Sequence, residues 1–436
     1  MIRMARYVQD IRGSVNRDID CQFALNLGML IGDYVSCKRV LIGRDAHTPS
    51  QLIKRAIGTG LMAAGVDVID FGVATVPVIH HHMKSFDTHL MINVSRSPLR
   101  ADEINIKLLS NHEIPLEQRP TLYAEYEELG KLMYVDNYLE SYVRSVLQLI
   151  APSVSEREFM VVLGCDEGSP HNVEGEILNQ LGCQTINITF RGSLFGKNFP
   201  IANPSSIAMI SDVVKAVGAD MGVILDNDRD TIFFIDERGQ LLRDQTVLSI
   251  FAGHYLSRGD GPVVSSVVAS KSLERVSRGR LIRTSVNNVL NEVHTNNAVF
   301  GGDEPGMYIF PEFQCCYDAT FALLKMLEII TEENRTLHDL ASEIGKYSRV
   351  EFSVECPNEF KDTVIERLLE QFQESDPELI DGIRVEDRAG VILIRPSRFE
   401  PVLRVYIESE SPEETQKRSR DMIDLIKKEM SDLYGE

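Results

Sequence analysis

No stretch of this sequence approaches the roughly 18 uncharged residues that a membrane-spanning helix needs, which excludes lipid as its solvent. Basic residues are in short supply as well: 45 Lys+Arg stand against 65 Asp+Glu, a formal net charge of −20. Such a field repels polyanions and argues against nucleic acid or an anionic membrane as the main partner. Any anion it binds must be held in a local basic pocket. Cysteine is sparse and poorly spaced for metal or disulfide work. The seven (Cys21, Cys37, Cys165, Cys183, Cys315, Cys316 and Cys356) are odd in number and scattered, with neither a CxxC pair nor zinc-ligand spacing. We read them as reduced thiols in a cytoplasmic protein. The opening MIRMARYVQDIRGS has three arginines but no apolar segment long enough for a signal peptide, so nothing points to export.

What is present is globular in composition, 43% apolar and 25% charged over 436 residues, enough for roughly three domains at about 150 residues each. The apolar run Arg39 to Ile42 passes through Gly43-Arg44-Asp45 into a helix-like stretch from Pro49 to Ala64, a Gly stop at Gly65 and a second apolar run, Val66 to Ile69. That is the grammar of a βαβ unit and predicts a parallel sheet. It recurs from Phe159 to Leu163, Val173 to Leu181 and Gln184 to Ile188, and more faintly from Pro262 to Val268, Leu273 to Val276 and Leu281 to Thr284. The C-terminal stretch differs: Gly390 to Ile394 and Val402 to Glu408 read as paired strands, and Pro412 to Met430 as one amphipathic helix. We expect three duplicated α/β domains, residues 1–150, 151–246 and 247–349, followed by a smaller α+β domain, residues 350–436.

Four segments carry chemistry. In Val223 to Asp236, the carboxylates of Asp226, Asp228 and Asp230 alternate between two apolar strand-like runs. Like charges so close repel, and a hard cation held by oxygen ligands is the usual compensation, magnesium being the simplest candidate. Asp226, Asp228, Asp230 and Glu237 also fall at EF-hand positions one, three, five and twelve, but Thr231 stands where that loop needs Gly. A solvated acidic hairpin turn is the plain alternative. In Leu90 to Pro98, a strand-like run ends in Ser95-Arg96-Ser97-Pro98 with Arg100 and Lys107 following, which suits a nucleophile or a phosphate site and equally a turn or helix cap. In Arg395 to Pro401, with Arg404 beyond, three guanidiniums and the Ser397 hydroxyl around one hairpin suit a phosphate clamp or an exposed charged edge. Phe300 to Gly306 is a Gly-rich turn bearing Asp303 and Glu304, able to bind sugar hydroxyls or to be only a turn. The triple His80-His81-His82 reads as a surface helix end, since adjacent helical residues point in different directions. The apolar spacing from Ala319 to Ile330 reads as core.

In this order the segments resemble the α-D-phosphohexomutase family, the phosphoglucomutase, phosphomannomutase and phosphoglucosamine mutase enzymes, over nearly the whole chain. Asp10-Ile11-Arg12-Gly13 is similar to the family's opening Gly-Ile-Arg-Gly, and Gly43-Arg44-Asp45 matches its Gly-Arg-Asp turn. Ser95 to Pro98 with Lys107 resembles its phosphoserine loop, Ser-His-Asn-Pro followed by a Lys. Asp226 to Thr231 resembles its metal loop, Gly301 to Met307 its sugar loop, and Arg395 to Pro401 its phosphate loop. The resemblance implies four domains around a central cleft and a magnesium-dependent intramolecular phosphotransferase that interconverts 1-phospho and 6-phospho sugars through a phosphoserine at Ser95 and a bisphosphorylated intermediate. Its magnesium would be held by Asp226, Asp228, Asp230 and a Ser95 phosphoryl oxygen, and Arg12 and Lys107 would line the reacting centre, with Lys107 moving a proton. Gly302 and Asp303 would face the sugar, and Arg395 and Ser397 the non-reacting phosphate. The partner would be a hexose or hexosamine phosphate, and a homo-oligomer is left open.

The departures lie in recognition. Arg96 and Ser97 replace His and Asn after the nucleophile, Asn227 and Thr231 replace Gly and Arg in the metal loop, and Asp303, Pro305 and Met307 replace Glu, Ser and His in the sugar loop. Arg398 and Phe399 replace Gly-Thr in the phosphate loop. Two readings fit: a working mutase on a different sugar phosphate, with Arg96 and Arg398 meeting extra negative charge, or a catalytically impaired paralogue acting as a sugar-phosphate-binding or regulatory subunit.

Overall fold

The computed structural model describes residues 7–35, 38–97, 100, 102–115, 123–155, 157–166, 168, 172–190, 202–345, 347–397 and 400–434. Pro98, Arg398, Phe399 and Cys37 lie outside the described residues. The chain builds four sheets in succession. The first holds β1 (Tyr7–Ser14), β2 (Arg39–Arg44), β3 (Asp67–Val73), β4 (Leu90–Arg96), β5 (Glu103–Ser110) and β6 (Leu132–Tyr134), in the order β1-β5-β4-β2-β3-β6. The second holds β7 (Met160–Asp166), β8 (Gln184–Phe190), β9 (Met221–Leu225) and β10 (Ile232–Asp236), in the order β10-β9-β7-β8. The third holds β11 (Val263–Ser266), β12 (Leu281–Thr284), β13 (Phe300–Asp303), β14 (Met307–Phe310) and β15 (Gln314–Tyr317), in the order β12-β11-β13-β14-β15. The fourth holds β16 (Ser348–Glu355), β17 (Ile383–Asp387), β18 (Gly390–Pro396) and β19 (Val402–Ser409), antiparallel throughout in the order β16-β19-β18-β17.

The expected βαβ units are present: β2 pairs parallel with β3, β7 with β8, and β11 with β12. The first three sheets are nevertheless mixed, which corrects the expectation of parallel sheets. To each parallel core an antiparallel partner is added, β4 with β5, β9 with β10, and β13 with β14. With β18 and β19, all four chemistry-bearing segments are therefore hairpin connections. A hairpin turn needs only a few residues, so both of its flanking strands can aim one short loop at a common point.

The first two helices show how close packing is reached. Helix Cys21–Tyr34, capped by the Asp20 carboxylate, lies against helix Thr48–Ala63, and Gly28 and Gly60 face the partner backbone. A Cβ at Gly28 would lie 2.1 Å from the Ile57 carbonyl oxygen, and one at Gly60 would lie 2.1 Å from that of Leu25. Only glycine admits that approach.

Helix Tyr138–Val154 contributes Tyr142, Val146 and Ile150 to a core shared by the second and third sheets, so the division expected at residue 150 falls inside it. Helix Ala319–Glu333 is buried from Ala319 to Ile330 and completes that core, as its apolar spacing implies. The histidine triple is not a surface helix end. Helix Val76–His81 is wedged between helix Tyr138–Val154 and β15, leaving His80 and His82 only 1% and 8% exposed. His80 Nδ1 meets Gln314 Oε1 at 2.9 Å, His81 stacks on Phe313, and His82 Nε2 donates to the Tyr138 carbonyl at 2.8 Å. The three rings turn to different partners and form no common ligand set.

Candidate active site

The acidic hairpin between β9 and β10 is buried, not solvated. Asp226, Asp228 and Asp230 are each less than 7% exposed, and each offers one carboxylate oxygen within 4.8 Å of the others. Its flanks are strands, which removes the EF-hand. The loop is held by backbone bonds to three neighbours: Val76 N–H donates to the Asp228 carbonyl at 3.0 Å, Ala319 N–H to that of Arg229 at 2.8 Å, and Ile232 N–H to that of Gly306 at 2.9 Å. Arg229 takes a left-handed φ of 60° and is 1% exposed. Its Nε meets Glu174 Oε1 at 2.8 Å, and its Nη1 donates to the Asp226 carbonyl.

Burial, then the charge of Asp228, pushes the Asp226 carboxyl up to about 7. The Lys107 ammonium contacts Asp230 and lies 3.4 Å from Asp228 Oδ2. Burial works against that charge, but Asp228, Asp10 and Asp226 outweigh it and hold the ammonium above its ordinary value. Three buried oxygens nearby or on adjoining strands have no hydrogen-bond partner: Ser95 Oγ, Asn93 Oδ1 and Asn227 Oδ1. The three crowded carboxylates form an oxygen donor set that fits a hard divalent cation.

Sheet register places the remaining candidates around this loop. Arg12 of β1 lies opposite Asn105 of β5, which lies opposite Ser95 of β4. Two residues along, on the same face, Asp10, Lys107 and Asn93 form the next row. Asn93 Nδ2 donates to Asp228 Oδ1 at 2.9 Å, so the face of β4 that carries Ser95 is the face turned to the acidic hairpin. Arg12 Nε reaches Asn105 Oδ1 at 3.4 Å, and Asn105 Nδ2 donates to Asp10 at 2.9 Å. Ser95 itself is fully buried. Arg96, on the opposite face of the strand, pairs with Asp166 of β7 at 2.5 Å and reaches His47 Nε2 at 3.3 Å. Asp45 accepts both the Arg96 N–H, at 2.7 Å, and His47 Nδ1, at 2.9 Å, fixing the strand end.

A cavity of about 380 Å³ opens beside these rows, lined by Arg12, Lys107 and the three aspartates at one side. Asp303, Glu304, Arg395, Ser397 and Arg404 line it too. Ser95, Arg96 and Gly302 do not. Gly302 is structural support: a Cβ there would lie 2.5 Å from Leu248 and 2.9 Å from the Met307 carbonyl. Asp303 accepts from the Ser266 hydroxyl at 2.5 Å and from Glu304 N–H at 2.8 Å, and burial pushes it up to about 6. Arg395 Nε is buried without a hydrogen-bond partner. Ser397 Oγ accepts from Glu400 N–H at 3.3 Å, and Arg404 pairs with Glu400 at 2.8 Å.

Sequence reasoning missed the supports. Glu174 behind Arg229 and Lys361, whose Nζ donates to the carbonyls of Ser397 and Glu400 at 2.6 Å each, lie outside every motif, and Asn93 on Asp228 lies in the strand-like run before Ser95. Asn93 alone had a signal, since it precedes Ser95 by two and so shares its face.

Four family models match in chain order: phosphoglucomutase/phosphomannomutase alpha/beta/alpha domain I over residues 3–133, domain II over 136–239, domain III over 244–347, and the C-terminal domain over 351–425. A protein of Pyrococcus abyssi named "Probable phosphoglucosamine mutase" is 30% identical over 447 residues, covering 97% of this chain and 98% of the relative. One of the same name from Methanosarcina acetivorans is 29% identical, covering 92% and 94%. In fold, the chain is similar to a phosphoglucomutase/phosphomannomutase family protein of Burkholderia thailandensis, with a TM-score of 0.79 at 21% identity over 98% of this chain and 97% of that one. It is similar also to the N-acetylphosphoglucosamine mutase of Aspergillus fumigatus, solved with GlcNAc-6P and magnesium, with a TM-score of 0.55 at 16% identity over 91% and 84%. The relatives carry enzyme names, which does not favour the binding-subunit reading. No helix among the described residues is long and apolar enough to cross a membrane. Four domains matched in order, from residue 3 to residue 425, show that the chain belongs to the phosphoglucomutase/phosphomannomutase family of phosphomutases.

Proposed function

We propose that this phosphomutase works through a phosphoserine at Ser95 and moves a phosphoryl group between the 1- and 6-oxygens of a hexose or hexosamine phosphate. The observation that carries this reading is the shared strand face of Ser95 and Asn93: a buried hydroxyl without a partner two residues from the amide that touches Asp228. Magnesium held by Asp226, Asp228, Asp230 and an oxygen on Ser95 would neutralise charge on the transferring group. A structural neighbour solved with GlcNAc-6P and magnesium supports that choice of ion and ligand class.

In the first half-reaction the bond from phosphorus to Ser95 Oγ breaks and a bond to a sugar hydroxyl oxygen forms. Lys107, held protonated by its carboxylate neighbours, gives Ser95 Oγ the proton it takes up, and its amine receives the proton that the sugar hydroxyl loses. Arg12 steadies the transferring group. Arg395, Arg404 and Ser397 grip the other phosphate, so the bisphosphate can turn in the cavity and return its second phosphoryl group to Ser95.

Intact-mass analysis after incubation with a hexose 1,6-bisphosphate tests this. The protein should gain one phosphate mapping to Ser95, absent in Ser95→Ala. Lack of that species would sink the phosphoserine. A phosphorus NMR screen of hexose and hexosamine 1-phosphates with magnesium then identifies the sugar.

A further inference from the structure

Arg349 opens the C-terminal sheet and is the one residue there bonded to the sugar loop among the described residues. Its Nη2 donates to Glu304 Oε2 at 2.8 Å, its Nη1 to the Val268 carbonyl at 3.1 Å, and its guanidinium lies over the Tyr406 ring, 5.2 Å from the centroid. The side chain is 6% exposed. Around it stand more carboxylates than it can neutralise: Asp244, Glu304, Glu351 and its cross-strand neighbour Glu408. Burial pushes Glu304 up to about 8 and Asp244 to about 7, against the pull of Arg349. Glu304 Oε2 bonds to that guanidinium while its buried Oε1 has no hydrogen-bond partner, so the position of Glu304 depends on where the guanidinium is held.

The guanidinium is in turn held by the phosphate-binding hairpin. Tyr406 of β19 lies directly opposite Leu393 of β18, and both pack with Val267 and Val268 of the third domain. Two residues along the same face, Arg395 lies opposite Arg404, the pair that lines the cavity. Arg404 and Tyr406 are same-face neighbours on β19 and their side chains are hydrogen-bonded, which ties the arginine pair to Tyr406.

We propose that Arg349 is a positioning residue that couples the two ends of the ligand: a phosphate seated on Arg395 and Arg404 fixes Tyr406, Tyr406 fixes Arg349, and Arg349 sets Glu304 in the sugar loop. The proposal rests on the mutase reading only for the identity of the ligands. Other bonds keep the domains joined without it, since Asp381 accepts from the Ser285 hydroxyl and Val286 N–H at 2.8 Å each, and Glu408 accepts from Lys271 N–H at 3.0 Å.

The test is calorimetric binding of inorganic phosphate and of glucosamine 6-phosphate or glucose 6-phosphate to the full chain. Arg349→Met should leave the Kd for inorganic phosphate within about twofold and weaken sugar-phosphate binding about tenfold or more. Glu304→Met, which leaves Arg349 on Tyr406 but removes its acceptor, should give the same split, and the double variant should be no worse than either single one. Arg349→Lys should recover part of the loss. Equal weakening of both ligands, or multiplied losses in the double variant, would overturn the coupling and leave Arg349 a structural tie. Because binding is read without turnover, an absence of mutase activity in the wild type would overturn the mutase reading and not this one.

Discussion

Arg229 sits in the middle of the acidic hairpin, yet its guanidinium does not line the cavity; it forms a buried pair with Glu174, Nε to Oε1 at 2.8 Å, while Glu174 also accepts from the Thr320 hydroxyl at 2.6 Å. A cation from the loop is thereby used chiefly to fix the loop, while Lys107 of β5 is the cation that contacts Asp230 and lies near Asp228.

Glu174→Gln removes one partner of that pair and leaves a buried guanidinium uncompensated. The expected cost is about 3–5 kcal/mol in stability, with magnesium affinity weakened along with it. Thermal denaturation with and without magnesium checks this, and an unchanged midpoint would show that the pair does not anchor the hairpin.

Asp226 must lose its proton before it can bind a cation. With its carboxyl pushed up to about 7 by burial and by Asp228, magnesium affinity should climb as pH rises through about 7 and level off above it. Titration calorimetry across that interval measures it. Asp228→Asn should abolish magnesium-dependent turnover, and an affinity that falls with rising pH would contradict the assigned ligands.

His80 is buried and neutral, its pKa lowered by burial from 6.5 to about 4. The unfolded chain therefore takes up a proton between those values while the folded one does not, so its contribution is intact above 6.5 and is lost as pH falls toward 4. The loss amounts to about 3 kcal/mol. Denaturant unfolding at several pH values should show a shallower acid decline for His80→Gln than for the wild type, and parallel curves would refute this account.

Lys361 holds the turn between β18 and β19, proposed above to grip phosphate, through the carbonyls of Ser397 and Glu400. Lys361→Met should weaken inorganic phosphate binding about tenfold although the lysine does not line the cavity, and Arg395→Met should weaken it by about 2 kcal/mol or more. Equilibrium phosphate binding distinguishes them, and an unaffected Lys361 variant would mean that the loop keeps its shape unaided.

Much of this architecture was legible in the residues. The runs from Arg39 and Phe159 became strands because apolar, β-branched stretches that end in glycine have few other uses. The acidic trio announced itself by like charge at alternate positions. What could not be read was anything requiring two distant segments at once. Alternation showed that Asp226, Asp228 and Asp230 crowd each other, but not that Lys107 would lie against two of them. The histidine triple misled because its own helix offers no hint of the helix and strand that enclose it. Arg96 stood in a promising motif, yet its partner Asp166 is contributed by another sheet.

The bond from Ile232 N–H to the Gly306 carbonyl stitches the turn after the aspartates to the turn after Asp303, with no room for a side chain: a Cβ on Gly306 would lie 2.3 Å from the Ile232 carbonyl oxygen. Transplanting either turn from a relative would thus import half of a seam. Exchanges intended to alter sugar preference should graft both turns as a set.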